Sequence, residues 1–154
     1  MKKYDKTLMT LTVTLNHVGR AYKSAVDELT AELDLSHATA WPIIMIARFG
    51  NGVRAGLLAE AMGIEPSSLV RLIDQLSAAG LVLRHNDHED RRAKLLSLTS
   101  DGTEMAQRAE QAIAKLRRDL FSDIPQADVE VCLDVLTRLD AVLAERSTRL
   151  GQSE

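Results

Sequence analysis

Gly63-Ile64-Glu65-Pro66-Ser67-Ser68-Leu69-Val70-Arg71-Leu72-Ile73-Asp74-Gln75-Leu76 is the stretch on which the reading of the fold turns. Pro66 suits the first position of a helix, where its missing N–H is not needed, and Glu65 ahead of it offers negative charge to the positive helix end. Leu69, Leu72, Ile73 and Leu76 recur at helical spacing and predict a core-facing stripe, and Gly80 predicts the stop. Just upstream, Ala55 to Met62 predicts a shorter helix closed by Gly63. Two short helices joined by a tight glycine-containing turn outline a helix-turn-helix.

Downstream, Leu81-Val82-Leu83 and Leu95-Leu96-Ser97-Leu98 flank the polar run His85-Asn86-Asp87-His88-Glu89-Asp90-Arg91-Arg92. Short apolar strands around a polar connector predict a β-hairpin with a long tip, a wing. The tip exceeds the roughly two to five residues of an ordinary hairpin loop, and long ordered loops tend to carry function. Thr99-Ser100-Asp101 then predicts a cap for a helix reaching about Phe121, with Met105, Ile113, Leu116 and Leu120 inward. After Asp123-Ile124-Pro125-Gln126 a last helix carries Val129, Leu133, Leu136, Leu139 and Leu143 on one side and Val131, Val135 and Val142 on the other.

Upstream, Leu8, Leu11, Leu15, Val18, Tyr22, Ala25 and Leu29 draw one stripe along a helix from about Asp5 to Glu32. Such a helix is roughly 40 Å long and its stripe needs a partner. Ser36 predicts a new N-cap, and Gly50-Asn51-Gly52 ends the helix that follows. Pro42 is awkward inside that helix, so a start near Thr39, or a local 3₁₀ turn, is expected. The terminal helices carry more apolar face than the central lobe can cover, which predicts burial in a two-fold interface. The expected architecture is mainly α, a winged helix-turn-helix with a small β-hairpin wing and long N- and C-terminal dimerisation helices. Residues 1–34 form the N-terminal dimerisation helix, 35–99 the DNA-binding lobe and 100–154 the C-terminal dimerisation helices.

The 154 residues suffice for one self-supporting core without disulfide or metal. A single cysteine, Cys132, forms no internal disulfide and reads as a chain of a reducing compartment, the cytoplasm. Met1-Lys2-Lys3-Tyr4-Asp5-Lys6 has no apolar run behind its charges, as a secretory signal would, and Ile43 to Ala47 is far too short to span a membrane. A net charge of −3 excludes a basic, non-specific nucleic-acid coat but not a local reading patch.

Such a patch is present. Ser67, Ser68, Arg71 and Gln75 share the polar side of the second short helix, and these side chains suit the major groove. Serine meets donor or acceptor edges, Arg pairs with guanine, Gln with adenine, and a helix N-terminus favours phosphate. Arg91, Arg92 and Lys94 cluster at the wing, where Arg can enter a narrow A·T-rich minor groove, and Arg84 adds a further candidate DNA-binding positive charge. From Glu65 to Leu98 five positive residues balance five negative ones, so the face is basic only at points. Binding to double-stranded DNA is expected to be site-specific and salt-sensitive.

The order Gly63 to Leu76, Gly80-Leu81-Val82, Asp90-Arg91-Arg92-Ala93-Lys94 and Leu98-Thr99 resembles the MarR (multiple antibiotic resistance regulator) family of winged helix-turn-helix transcription factors, and most closely its SlyA-like branch. The Asp-Arg-Arg-Ala-Lys wing tip is the most specific part, and the long flanking helices match more loosely. The resemblance implies a homodimeric transcriptional regulator, by default a repressor, on a pseudo-palindromic operator. It also implies that Asp90 braces Arg92 at the groove, and that small aromatic carboxylates or phenols release the DNA. Arg20, Lys23 and Arg71 match positions that meet the effector's carboxylate. The branch's early tryptophan of the second helix falls at Ala40, with Trp41 beside it, which alters the expected pocket.

Rival readings are weaker. His85, Asp87, His88, Glu89 and Asp90 match no standard metal spacing, so neither metal nor cofactor is expected. No nucleophile–base pair, Gly-rich phosphate loop or paired catalytic carboxylates point to an enzyme. Cys132, beside Val131 and Leu133, reads first as a packing residue and alternatively as a redox sensor. A winged-helix protein-interaction module without DNA binding is the remaining alternative.

Overall fold

The computed structural model describes residues 2–90 and 93–151. Their order is α1 (Lys3–Thr30), a 3₁₀ turn (Ala31–Leu33), α2 (His37–Phe49), β1 (Val53–Arg54), α3 (Ala55–Met62), α4 (Pro66–Ala78), β2 (Val82–Asn86), β3 (Lys94–Leu98), α5 (Ser100–Leu120) and α6 (Gln126–Gly151). The chain divides into two compact units, one ending at Lys115 and one beginning at Leu116. The first holds a winged helix-turn-helix: α2, α3 and α4 beside an antiparallel sheet in the order β1-β3-β2. Among the described residues no helix is long and apolar enough to cross a membrane.

Helix α2 is the hub. Ala40, Pro42, Ile43, Ile44 and Ile46 are buried in it, and it packs against α1, α3, α4 and β3. A helix surrounded by neighbours must be apolar around most of its circumference, and this one is. It begins at His37 rather than near Thr39, with Pro42 inside it. The start is pinned from three directions. Ser36 Oγ accepts from the Thr39 N–H at 3.2 Å, the Ser36 N–H donates to Thr39 Oγ1 at 2.9 Å, and the His37 N–H donates to Asp27 Oδ1 of α1 at 2.6 Å. These bonds and the burial of the proline ring offset the one backbone bond that Pro42 cannot donate. The 3₁₀ turn lies earlier, at Ala31–Leu33.

Three helical segments stop by the same device. Asp34, Gly63 and Gly80 take left-handed φ of 53°, 63° and 74°. The next residue of each donates back: Leu35 to Thr30 O at 3.2 Å, Ile64 to Ala59 O at 3.1 Å and Leu81 to Leu76 O at 2.9 Å. This is the Schellman closure, in which an apolar residue just past the stop tucks against the helix. Leu35 and Leu81 are buried, so the stops also anchor the chain.

The hairpin is larger than the apolar runs predict. Strand β2 continues through Arg84 and His85 to Asn86, in register with β3 from Val82↔Leu98 to Asn86↔Lys94. A third strand, unanticipated, pairs Val53 with Leu96 and Arg54 with Leu95. Two residues are too few to display alternation.

Helix α5 buries Ile113 as expected, but the rest of its buried face is made of small residues rather than large ones. Gly102, Ala106, Ala109 and Ile113 form its inner face, Met105 is only half-buried, and Leu120 is exposed. The cause is close approach, since a Cβ on Gly102 would sit 2.0 Å from the carbonyl oxygen of Leu81. Thr99 caps the helix, its Oγ1 accepting from the Gly102 N–H at 2.9 Å and donating to Gly80 O at 2.8 Å. On α1 only Val26 and Thr30 are buried, whereas Leu8, Leu11, Leu15 and Val18 of the predicted stripe are exposed. Considered alone, the second unit is the end of α5 from Leu116, the turn after it and α6, with Val129 and Leu136 half-buried and Leu133, Leu139 and Leu143 exposed.

Candidate nucleic-acid interface

Helix α4 presents the polar side that its sequence predicts. Ser67, Ser68, Arg71 and Gln75 are exposed; Leu69, Ile73 and Leu76 are buried, and Leu72 is half-buried. Burial of that stripe fixes the rotation of the helix, so the four polar residues point outward together. Pro66 stands at the first helical turn after Glu65, whose carbonyl accepts from Ser68 and Leu69 at 3.0 and 3.1 Å.

The wing is tied to this helix. Arg84 on β2 forms an ion pair with Asp74 on α4, so the cation expected at DNA also joins the hairpin to that helix. Across the hairpin, Lys94 Nζ donates to Asn86 Oδ1 at 2.5 Å. Between α4 and the wing lies a cavity of about 120 Å³ lined chiefly by Pro66, Leu69, Val70, Ile73 and Leu96, with Arg84 and Lys94 at its polar side.

The tip begins at Asp87, which is only 8% exposed. Its Oδ2 accepts from Arg54 Nη2 at 2.7 Å and its Oδ1 from the Glu89 N–H at 2.9 Å. The Glu89 N–H, and secondarily the Arg54 guanidinium and the Asp90 N–H, hold the Asp87 carboxyl below the usual carboxylate range against the opposing effect of burial. The Asp87 N–H reaches Ala93 O at 3.2 Å and the Ala93 N–H reaches Asp90 O at 2.9 Å, which closes the base of the tip. Arg91 and Arg92, the expected groove residues, lie outside the described residues, and so does the brace expected between Asp90 and Arg92. Arg54 and Asp87 escaped the sequence reading. An Asn-Asp pair at a strand end was the available signal for Asp87; a lone Arg before a short helix gave none for Arg54.

The expected effector residues stand on two elements. Arg20 and Lys23 are exposed one turn apart on α1, and Arg71 is exposed on α4. A crevice of about 340 Å³ opens between the α1–α2 junction and the end of α4, lined by Leu33, Leu35, Thr39, Gln75, Leu76 and Met105 among others. None of the three cations lines it, while Gln75 of α4 does. Nearby, His37 packs edge-on to Tyr22 with ring centroids 6.5 Å apart. Burial lowers the His37 pKa, Asp27 opposing and Lys23 adding to the shift. Cys132 is exposed on α6 rather than packed. Among the described residues no group of three His, Cys, Asp or Glu side chains is placed to hold a metal.

Residues 37–94 match the family model for MarR proteins. Transcriptional regulator PA3341 is 31% identical, with 88% of this chain and 98% of that one aligned at a TM-score of 0.78. CouR from Rhodococcus jostii RHA1, solved with p-coumaroyl-CoA, is 26% identical over 84% of this chain and 90% of its own, at a TM-score of 0.75. MepR from S. aureus, solved with DNA, shares the fold at a TM-score of 0.80 and 17% identity, over 86% of this chain and 97% of its own.

Proposed function

Because this chain belongs to the MarR family, we propose that it is a sequence-specific DNA-binding transcriptional regulator acting as a homodimer on a pseudo-palindromic operator. The observation that carries the reading is the polar side of α4, with Ser67, Ser68, Arg71 and Gln75 exposed together over a buried apolar stripe. In the proposed complex this side enters the major groove, where Arg71 meets a guanine and Gln75 an adenine. Ser67 and Ser68 meet base edges or phosphates near the helix N-terminus. Arg84, Arg91, Arg92 and Lys94 bring the wing to the adjacent minor groove and backbone, with Asp90 orienting Arg92.

The exposed stripes of α1 and α6 support the homodimer, since Leu11, Leu15, Leu139 and Leu143 have apolar area to bury against a second copy. Two-fold symmetry then holds two α4 helices about one DNA turn apart. Occupancy of such an operator represses transcription by excluding polymerase. The likeness to CouR, solved with an acyl thioester of a phenolic acid, supports an effector of that chemical class. A phenol shares the ring of that ligand, and an aromatic carboxylate adds an anion for which Arg20, Lys23 and Arg71 are the candidate partners.

Selection of bound duplexes from random DNA, with and without salicylate-like acids, tests both levels. Enrichment of an inverted repeat with half-sites about ten base pairs apart, weakened by the acid, is the expected result. Absence of any enriched sequence overturns the regulator reading, whereas enrichment insensitive to every acid overturns only the effector.

A further inference from the structure

We propose that Arg54 and Asp87 are positioning residues of the wing, an ion pair that sets the tip relative to the helix-turn-helix. This inference rests on the DNA-binding reading above. The sheet order β1-β3-β2 puts Arg54 and the end of β2 on opposite sides of the middle strand. Two strand spacings amount to roughly 9–10 Å, so the arginine must extend across β3 to reach the carboxylate. It does so, with Nη2 2.7 Å from Asp87 Oδ2.

The burial pattern indicates why. Asp87 and Thr30 are the buried polar or charged residues among those described, and Asp87 lies in a hairpin where Arg84, His85, Asn86, His88, Glu89, Asp90 and Lys94 are exposed. A sequestered carboxylate is tolerated only when paired and hydrogen-bonded, and both oxygens of Asp87 are engaged. Its backbone N–H also ties the start of the tip to Ala93 at the end. Arg54 is the residue from which α3 springs, so the pair joins the tip to the first helix of the helix-turn-helix. The Arg84–Asp74 pair independently joins the hairpin's shaft to the second. Two struts on different helices define the tip's direction, as one could not. The sequence places Arg91 and Arg92 between the two points that Asp87 secures.

The alternative role for Arg54, whose side chain is 53% exposed, is a direct phosphate contact. The two roles give opposite results. Operator affinity and its salt slope are measured for the full-length wild type, Arg54→Met, Asp87→Asn and the double variant, with circular dichroism on each. Asp87→Asn keeps the size and the acceptor for Glu89, so a folded variant is available. For a positioning pair, both single changes weaken binding about tenfold, the double variant is no worse than either, and the salt slope is unchanged. Arg54→Lys recovers part of the loss. For a phosphate contact, Arg54→Met reduces the magnitude of the dimer's slope by about 1.8 and Asp87→Asn leaves affinity equal or higher, which overturns the proposal. Unaltered affinity in both single variants also overturns it while leaving the regulator reading intact. A wild-type protein that retains no duplex overturns both.

Discussion

Helix α2 and the first five turns of α1 are both rich in apolar side chains, and they meet opposite fates. Ile43 and Ile46 of α2 are 0% exposed, whereas Leu11 and Val18 of α1 are 48% and 55% exposed. The lobe built around α2 closes its core within one chain. The N-terminal part of α1 keeps an apolar stripe in water, which a monomer retains at a cost in solubility and which a second copy removes. One region is complete alone, and the other is complete in the proposed homodimer.

The largest effect follows from breaking the incomplete region. Leu11→Glu combined with Leu15→Glu is expected to reduce the particle to 17.0 kDa in light scattering. Operator affinity should fall about a hundredfold or more, because two half-sites can no longer be held at once. A double variant that remains dimeric would erase the contrast between the regions. Next in size is damage to the closed core, where Ile43→Ala is expected to cost about 2–5 kcal/mol in urea denaturation.

Glycine substitutions sharpen the comparison at smaller scale. Gly102→Ala drives a methyl into the Leu81 carbonyl and is expected to destabilise by about 1–3 kcal/mol. Gly19→Ala on α1 has nothing within 4 Å to meet, and gains about 0.5–1 kcal/mol from helix propensity. Equal thermal shifts for the two variants would contradict the packing described for α5.

The smallest effect lies where α1 and α2 touch. Burial lowers the His37 pKa from its ordinary 6.5, so the folded state binds its proton less readily than the unfolded chain. That contribution to stability is complete above the ordinary value and is lost as pH falls through the lowered one. Denaturation midpoints from pH 7.5 down to 5 should therefore decline less in His37→Gln than in the wild type. Parallel declines would remove His37 from the account.

Legibility in the sequence followed the strength of the local signal. Pro66, Gly63 and Gly80 marked helix boundaries because each residue suits a backbone geometry that few others adopt. The stripe Leu69-Leu72-Ile73-Leu76 gave the rotation of α4 for the same reason: periodicity is a local property. What stayed hidden depended on contacts distant in sequence. Pro42 misled because the Asp27 tether that pins the start of α2 comes from another helix. Ile113 was legible on the inner face of α5, but Gly102, Ala106 and Ala109 were not, because nothing local announces that Leu81 will approach Gly102. Arg54 and Asp87, thirty-three positions apart, become partners only once β1 has joined the sheet. Arg91 and Arg92 stand out by their place in the polar run between the two strands and by the family resemblance, and both lie outside the described residues.

The most direct test is a titration of the selected operator across a salt series, with wild-type protein and Arg92→Ala side by side. If each subunit neutralises about four phosphates, the wild-type plot of log K against log salt has a slope near −7. Arg92→Ala should lose about 1–3 kcal/mol per wing. A slope near zero, or no duplex retained even in dilute buffer, would contradict the account at its root.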